Sequence, residues 1–316
     1  MSACGKAENQ TGVSRMNIKR RFSQKPLSDK IFDIAIGTIC VFIFFSIAYP
    51  LYFVLLASVS NANLVAQGKV LLYPKGFSLF GYSKIFEDAR IWIGYRNTIF
   101  FTVAGTILNM VLTLPAAYTL SRKDFRARRP IMLAFVFTMY FSGGLIPTYL
   151  LIKGIGIDDS MWVYIVPFSV NVFNLIVTRS FFESSIPDEL LESASLDGCS
   201  DFRFFIKIVL PLSKAVISVI SLYYIVAHWN DFFTGLIYIR NKNLIPLQIV
   251  VRDIILINQV FSEGAGLGGD AGGYAQMYAD SVKYGLIIVS TIPILILYPL
   301  IQKYFEKGVM IGAIKG

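Results

Sequence analysis

The chain has 316 residues, of which 55% are hydrophobic and 16% are charged, and its formal net charge is +9. Soluble globular proteins carry roughly 25% charged residues, so this composition excludes a disordered chain, a collagen-like chain and a disulfide-stapled secreted fold. A basic and apolar chain binds nucleic acid, lies on anionic lipid or spans a membrane, and the positions of its charges distinguish these classes.

Five long runs of the sequence contain no charged residue, and each has at least 19 residues. They are 34–68, 97–121, 130–152, 160–178 and 284–302. A helix needs about 20 mainly apolar residues to cross the hydrocarbon core of a bilayer. A sixth apolar segment, 204–229, carries Lys207 and Lys214 near its start, where long side chains reach the headgroups. We therefore predict an all-α membrane protein with six transmembrane helices.

The positive charges predict how these helices are oriented. The N-terminal segment, the connections 121–130 and 179–214 and the C-terminal tail together hold 19 of the 29 Lys and Arg residues. By the positive-inside rule this side is cytoplasmic, as are both termini. We expect a cytoplasmic segment 1–30, a transmembrane domain 31–305 and a cytoplasmic tail 306–316. The net charge then marks orientation, and no nucleic-acid partner is expected.

The N-terminus and the cysteines fit a bacterial cytoplasmic membrane protein. The first apolar run is much longer than the hydrophobic region of a signal peptide, which predicts a retained first helix. Cys4 and Cys199 fall on the cytoplasmic side and Cys40 falls in the first span, so no disulfide is expected. His228 is the single histidine, and no residues have the spacing of metal ligands.

One cytoplasmic connection, 187–211, is acidic although its neighbours are basic. A helix ends before Pro187, and Pro187-Asp188-Glu189 is typical of the start of another. We predict a short helix over 189–196, ended by Asp197-Gly198, and then an amphipathic stretch into the fifth span. Helices that lie on anionic lipid prefer Lys and Arg, so the acidic charge of this connection favours a protein partner over the lipid surface.

The same connection carries a motif. The pattern E-A-A-x3-G-x9-I-x-L-P is matched here, with Ser193 in place of the first alanine, by Glu192, Ala194, Gly198, Ile208, Leu210 and Pro211. This stretch resembles the EAA loop of permease subunits of ATP-binding-cassette (ABC) importers. Softer similarities point to carbohydrate-uptake permeases, the branch typified by the second maltose permease and LplC-type oligosaccharide permeases. They lie at Tyr73-Pro74, Asn97-Thr98, Trp229-Asn230-Asp231-Phe232, 245–248 and 307–312.

The resemblance implies a type I ABC importer transmembrane domain, with its core at 92–305 and a coupling loop at 187–211. The docked part of that loop would hold Glu192, Ser193, Ala194, Asp197 and Gly198, and Ile208, Leu210 and Pro211 would join it to the fifth span. The implied partners are two ATPase subunits, a second permease that completes a heterodimer, an extracellular solute-binding protein and the lipid bilayer.

The resemblance also implies that this chain is a transport subunit and not an enzyme. ATP and Mg would bind to the partner ATPase subunits, and we expect no cofactor on this chain. No P-loop string G-x-x-x-x-G-K-[ST] occurs in the sequence. The glycine-rich stretch 264–273 lacks the lysine and is expected on the extracytoplasmic side, as a flexible loop or a contact for the binding protein.

Polar and aromatic side chains inside the spans are candidates for the substrate path, because sugars are held by aromatic stacking and by amide hydrogen bonds. They are Asn171, Asn174, Tyr223, Tyr224, His228, Trp229 and Asn230. Each has an alternative role. Tyr and Trp also form the interfacial belt, and a lone His or Asn also bonds to a neighbouring helix.

Three other functions are alternatives to a sugar importer. A permease for peptides or another polar solute belongs to the same class. An ion-driven secondary transporter would need acids inside the membrane, and the charge-free spans contain none. A membrane-embedded hydrolase would need a constellation around more than the single His228.

Overall fold

The structure is a computed structural model that describes residues 26–262 and 280–299, and within them every regular element is a helix. Residues 1–25, the glycine-rich stretch 264–273 and the tail 306–316 lie outside the described residues. Helices of nine or more residues are numbered α1–α9: α1 Leu27–Ser58, α2 Ala89–Ser121, α3 Arg128–Tyr140, α4 Leu145–Gly154, α5 Val172–Ser185, α6 Asp188–Leu196, α7 Lys214–Trp229, α8 Leu247–Ser262 and α9 Asp280–Pro299. Shorter helices are Ala62–Ala66, Phe80–Glu87, Trp162–Ile165, Asp201–Phe204, Leu210–Leu212 and Phe233–Tyr238.

Four helical stretches in the described residues are long and apolar enough to cross a membrane. They are Ser28–Ser58, Ala89–Ser121, Lys214–Tyr238 and Asp280–Pro299. A fifth candidate is the pair α3 and α4, which are bent by 114° at a short break. Gly144 in that break has a φ of +83°, a conformation that glycine adopts without strain.

The predicted continuous fourth span over 160–178 is wrong. The structure has a four-residue helix, Trp162–Ile165, then an irregular stretch, and then α5. Pro167 lies at the interruption, where it lacks the N–H that a continuing helix would need. A count of charges does not register this break, because every residue in the run is uncharged.

Two further elements differ from expectation. α2 begins at Ala89, eight residues before the expected opening at Asn97, because the carboxylate of Asp88 accepts the backbone N–H of Arg90 and caps the helix. The charge-free runs did not indicate α8, since Arg252 and Asp253 interrupt its apolar residues. Its residues Leu247, Val250, Val251 and Ile254 are buried in one cluster.

α2 is the central helix and packs against α5, α7 and α8. One face of it carries buried polar residues at intervals of three to four: Thr98, Thr102, Thr106, Asn109 and Thr113. Its opposite face exposes Ile99, Val103, Ile107 and Val111. This division is typical of a membrane helix that turns polar groups inward and apolar groups toward lipid.

The N-terminal part of this polar face holds the chain before α8. The amide of Asn97 donates to the carbonyl oxygens of Asn243 and Ile245, at 2.7 and 3.0 Å. The hydroxyl of Thr98 accepts the N–H of Leu247 at 2.9 Å. Backbone that is not helical needs such partners at membrane depth, because lipid offers none.

Replacing Asn97 with alanine should therefore destabilise the fold, since two carbonyl oxygens lose their donor at a cost of about 1–3 kcal/mol each. The matched control is Val103→Ala on the exposed face of the same helix, where the side chain is 54% exposed. We expect a lower melting temperature in detergent for Asn97→Ala than for Val103→Ala. Equal melting temperatures would show that Asn97 does not hold this segment.

Candidate functional site

A cavity of about 790 Å³ lies between the interrupted stretch 166–171 and α7. Five of the seven residues predicted for a substrate path line it, namely Asn171, Asn174, Tyr223, Tyr224 and His228. They come from segments more than 45 residues apart in sequence, and the packing of α5 and α7 against α2 brings them together. A cavity of this size accommodates a small-molecule ligand or part of a chain.

Two of these side chains also hold the cavity wall. The hydroxyl of Tyr224 lies 2.8 Å from that of Thr113 on α2 and accepts the N–H of Asn171 at 3.1 Å. The amide oxygen of Asn171 accepts the N–H of Asn174 at 3.1 Å, which caps the start of α5. The wall is therefore fixed to α2 through α7.

His228 is held by Asn109 of α2. Its Nε2 lies 2.8 Å from Oδ1 of Asn109, while Nδ2 of the same amide donates to the carbonyl oxygen of Ser169 at 2.7 Å. An amide oxygen only accepts, so Nε2 carries the proton. Gly105 makes this approach possible, because a Cβ atom there would lie 2.5 Å from Nε2.

Trp229 and Asn230 do not line the cavity. The indole N–H of Trp229 donates to the carbonyl oxygen of Ser290 in α9 at 3.0 Å, and its ring packs against Tyr95. The amide of Asn230 donates to the carbonyl oxygen of Val226 in its own helix at 2.9 Å. Their place in a substrate path stays a prediction.

The second candidate site is the segment 187–211. The short helix predicted there is present as α6, and Pro187 directly precedes it. Ala194 is 8% exposed and packs in an apolar cluster that includes Phe204 and Phe205. Glu192, Ser193 and Asp197 are exposed. The motif therefore turns its alanine inward and its polar residues outward.

The turn after α6 depends on Gly198. Its φ is +72°. Its N–H donates to the carbonyl oxygen of Ser195 at 3.0 Å, and the N–H of Cys199 donates to that of Ala194 at 2.9 Å. This pair of bonds is the Schellman motif, which ends a helix sharply and prefers glycine at this position.

The segment then joins α7 through irregular helix. Residues Phe205–Val209 form a wide π-helical turn, which continues through Leu210–Leu212 to a break at Ser213. Pro211 lacks the N–H that would close a regular turn. Ile208 and Leu210 are half-buried against the same apolar cluster. α7, which carries Tyr223, Tyr224 and His228, thus starts directly after the predicted coupling segment.

The helical fold has known counterparts. Residues 91–311 match the family described as "Binding-protein-dependent transport system inner membrane component". The chain belongs to this family. Its members are inner-membrane permeases of ABC transporters and are not enzymes.

This permease is similar to two curated proteins of Bacillus subtilis (strain 168). One is the polygalacturonan/rhamnogalacturonan transport system permease protein YtcP, 39% identical over 92% of this chain and 100% of the relative. The other is protein LplC, 38% identical over 84% of this chain and 89% of the relative. A solved structure, of a bacterial ABC transporter involved in the import of the acidic polysaccharide alginate, is 31% identical with a TM-score of 0.81. That match covers 89% of this chain and 99% of the other.

Two basic residues of the loop between α2 and α3 form ion pairs with Asp188 at the start of α6 in this permease. Nζ of Lys123 lies 2.7 Å from Oδ2 of Asp188, and NH1 of Arg122 lies 3.6 Å from Oδ1. The hydrogen bond from Lys123 lowers the pKa of Asp188. A lowered carboxyl pKa means that the pair contributes at neutral pH and is lost as the pH falls through that value.

The structure adds cavity residues that sequence reasoning missed. Asn109 lies in the middle of a charge-free span, and Tyr164 and Phe168 flank the interruption at Pro167. The hydroxyl of Tyr164 is buried and has no hydrogen-bond partner among the described residues. Its ring stacks on that of Phe101, with 4.3 Å between the two ring centroids. Proline inside an apolar run was the available signal for these two aromatic residues.

The close contact between His228 and Gly105 can be tested with two glycine-to-alanine substitutions that should change stability in opposite directions. Alanine in place of glycine normally stabilises a helix by about 0.5–1 kcal/mol. We expect Gly37→Ala in α1, where nothing lies within 4 Å of the new Cβ, to follow this rule. Gly105→Ala should instead lower the melting temperature and shift the imidazole signals of His228 in NMR spectra. Equal effects at both positions would contradict the close contact.

Proposed function

We propose that the chain is the permease subunit of an ATP-driven importer, and that with a second permease it forms the path for a sugar or oligosaccharide. The observation that carries this proposal is the continuity of α7. Its first residue follows the EAA-like segment, and its last two turns line the cavity with Tyr223, Tyr224 and His228. A displacement of the cytoplasmic segment would be transmitted along one helix to the cavity, as rocking motions of transporters require.

The proposal includes six membrane crossings. α1, α2, α7 and α9 supply four of them, and the bent pair α3 and α4 supplies the third crossing in chain order. The fourth consists of Trp162–Ile165 and α5 on either side of the interruption. Irregular backbone at that depth is acceptable where it lines a cavity. Both termini are then cytoplasmic, in agreement with the basic loop 121–130.

The proposed partners on the cytoplasmic side are two ATPase subunits that bind ATP and Mg. The surface proposed to bind them combines exposed acidic residues of α6 with exposed apolar side chains. Leu196 is 90% exposed and Phe202 is 74% exposed. Such side chains are costly in water and are typical of residues that enter a pocket of another protein. Ala194 and the buried phenylalanines beneath them make the surface rigid.

The docking of α6 can be tested at Gly198. Valine at a φ of +72° is strained, so Gly198→Val should reshape the turn and reduce copurification of the ATPase at least about tenfold. Asparagine tolerates this conformation, and Gly198→Asn should retain the ATPase. Because no atom lies within 4 Å of a Cβ atom at this position, size alone does not explain a loss. Normal ATPase binding by Gly198→Val would contradict the coupling role.

The saccharide is the proposed substrate because the relatives with similar sequences are named for polysaccharide transport. The cavity chemistry supports it, since amides, hydroxyls and aromatic rings line the same space. An extracellular binding protein is proposed to deliver the sugar. In support, a structure of the alginate transporter in complex with a pentasaccharide-bound periplasmic protein shares the fold, at 16% identity and a TM-score of 0.50.

The proposed saccharide path can be tested by substitution of Tyr223. Its side chain is 44% exposed and lines the cavity, so Tyr223→Ala should lower oligosaccharide uptake about fivefold through a lost contact of about 1 kcal/mol. Tyr140→Ala is the control, because Tyr140 is 75% exposed and does not line the cavity. Uptake is measured in proteoliposomes that contain the complete transporter. Equal uptake by both variants would remove Tyr223 from the path.

A further inference from the structure

Phe168 is the cavity residue whose conformation is unusual for its side chain. Its φ of +58° lies in the left-handed region, where the Cβ atom of an L-residue crowds the backbone and glycine is the usual occupant. Among the described residues, Asp159 is the other non-glycine residue with such a φ. Aspartate tolerates this conformation because its short polar side chain bonds locally, and phenylalanine has no polar group to do so.

The strain at Phe168 is imposed by its neighbours in the chain. On one side, Asn109 donates to the carbonyl oxygen of Ser169 at 2.7 Å. On the other, the N–H of Asn171 donates to the hydroxyl of Tyr224 at 3.1 Å. Since α2 and α7 hold the backbone on the C-terminal side and Pro167 restricts it on the N-terminal side, Phe168 has little freedom to relax.

The ring of Phe168 is largely open in the described part of the chain. It is 78% exposed, and it belongs to none of the buried clusters or aromatic pairs. It nevertheless lines the same cavity as Asn171 and Tyr223. A strained backbone that presents an open aromatic ring to a cavity is the pattern expected where a ligand supplies the missing contact.

We propose that Phe168 is a stacking platform for a sugar ring, and that it helps to set which saccharides this permease passes. One face of a sugar ring carries C–H groups that pack on an aromatic face, and the hydroxyls at the ring edge need hydrogen-bonding partners. The amide of Asn171 and the hydroxyl of Tyr223 lie on the same cavity wall to provide them. The platform rests on the proposed function, because it assigns a contact within that path.

Three variants separate stacking from other roles of this side chain. Phe168→Tyr keeps the aromatic face, Phe168→Leu keeps an apolar side chain without it, and Phe168→Gly removes the side chain and the strain. Each is reconstituted with the complete transporter in proteoliposomes, with maltotriose and trigalacturonate as probes. We expect Phe168→Leu and Phe168→Gly to raise the KM of the better-transported probe about tenfold, and Phe168→Tyr to stay within about threefold of the wild type.

Stability gives an independent readout of the same variants. Phe168→Gly should raise the melting temperature because the left-handed conformation suits glycine, while Phe168→Leu should not. If the ring instead packs against the second permease, Phe168→Gly would lower the melting temperature and reduce copurification of that permease. That result would overturn the platform.

Two transport results would also overturn the proposal. If Phe168→Leu or Phe168→Gly takes up the probe with the same KM as the wild-type transporter, no stacking contact exists. The proposed function would stand in that case. Failure of the wild-type transporter to take up either probe, or any other saccharide offered by its binding protein, would overturn the proposed function and the platform with it.

Discussion

Irregular backbone inside an apolar environment must find hydrogen bonds within the protein, and in this permease α2 supplies them. Its buried face carries Asn97 and Thr98 against the segment before α8, and Asn109 against the interruption before α5. The helix itself is continuous from Ala89 to Ser121, whereas the segments before α8 and before α5 are not continuous α-helix. The interrupted span, the cavity beside it and the position of α7 all follow from these few polar side chains.

The two candidate sites share α2. Tyr118 near the C-terminal end of α2 packs on Phe182, Phe204 and Phe205, and the hydroxyl of Thr113, five residues earlier, contacts that of Tyr224. The aromatic cluster packs against Ala194 of α6, and the hydrogen bond between Thr113 and Tyr224 holds one wall of the cavity. α2 thus contacts both candidate sites, and α7 and the π-helical turn before it pack on the same helix.

The sequence was informative where a single local signal decides the structure. Charge-free runs indicated α1, α2 and α9, and the sixth apolar segment, which carries Lys207 and Lys214, indicated α7. Pro187 and Gly198 marked the two ends of α6. The cavity was only partly predictable. Polar residues in the spans indicated five lining residues, but whether Trp229 faces a cavity or a neighbouring helix depends on helix rotation, which composition does not encode. Asn109 and Phe168 were missed because their partners, His228 and the chain around Pro167, are distant or irregular.

α1 differs from every other long helix, because only 6% of its most apolar window is buried within the chain. Its described contacts are few, among them the hydroxyls of Tyr49 and Tyr52 on the carbonyl oxygens of Leu71 and Leu72, and the ring of Phe53 on Tyr284. Most of its apolar surface is therefore open to lipid or to another subunit. A helix of this length and apolarity is stable across a bilayer without packing against the rest of its own chain.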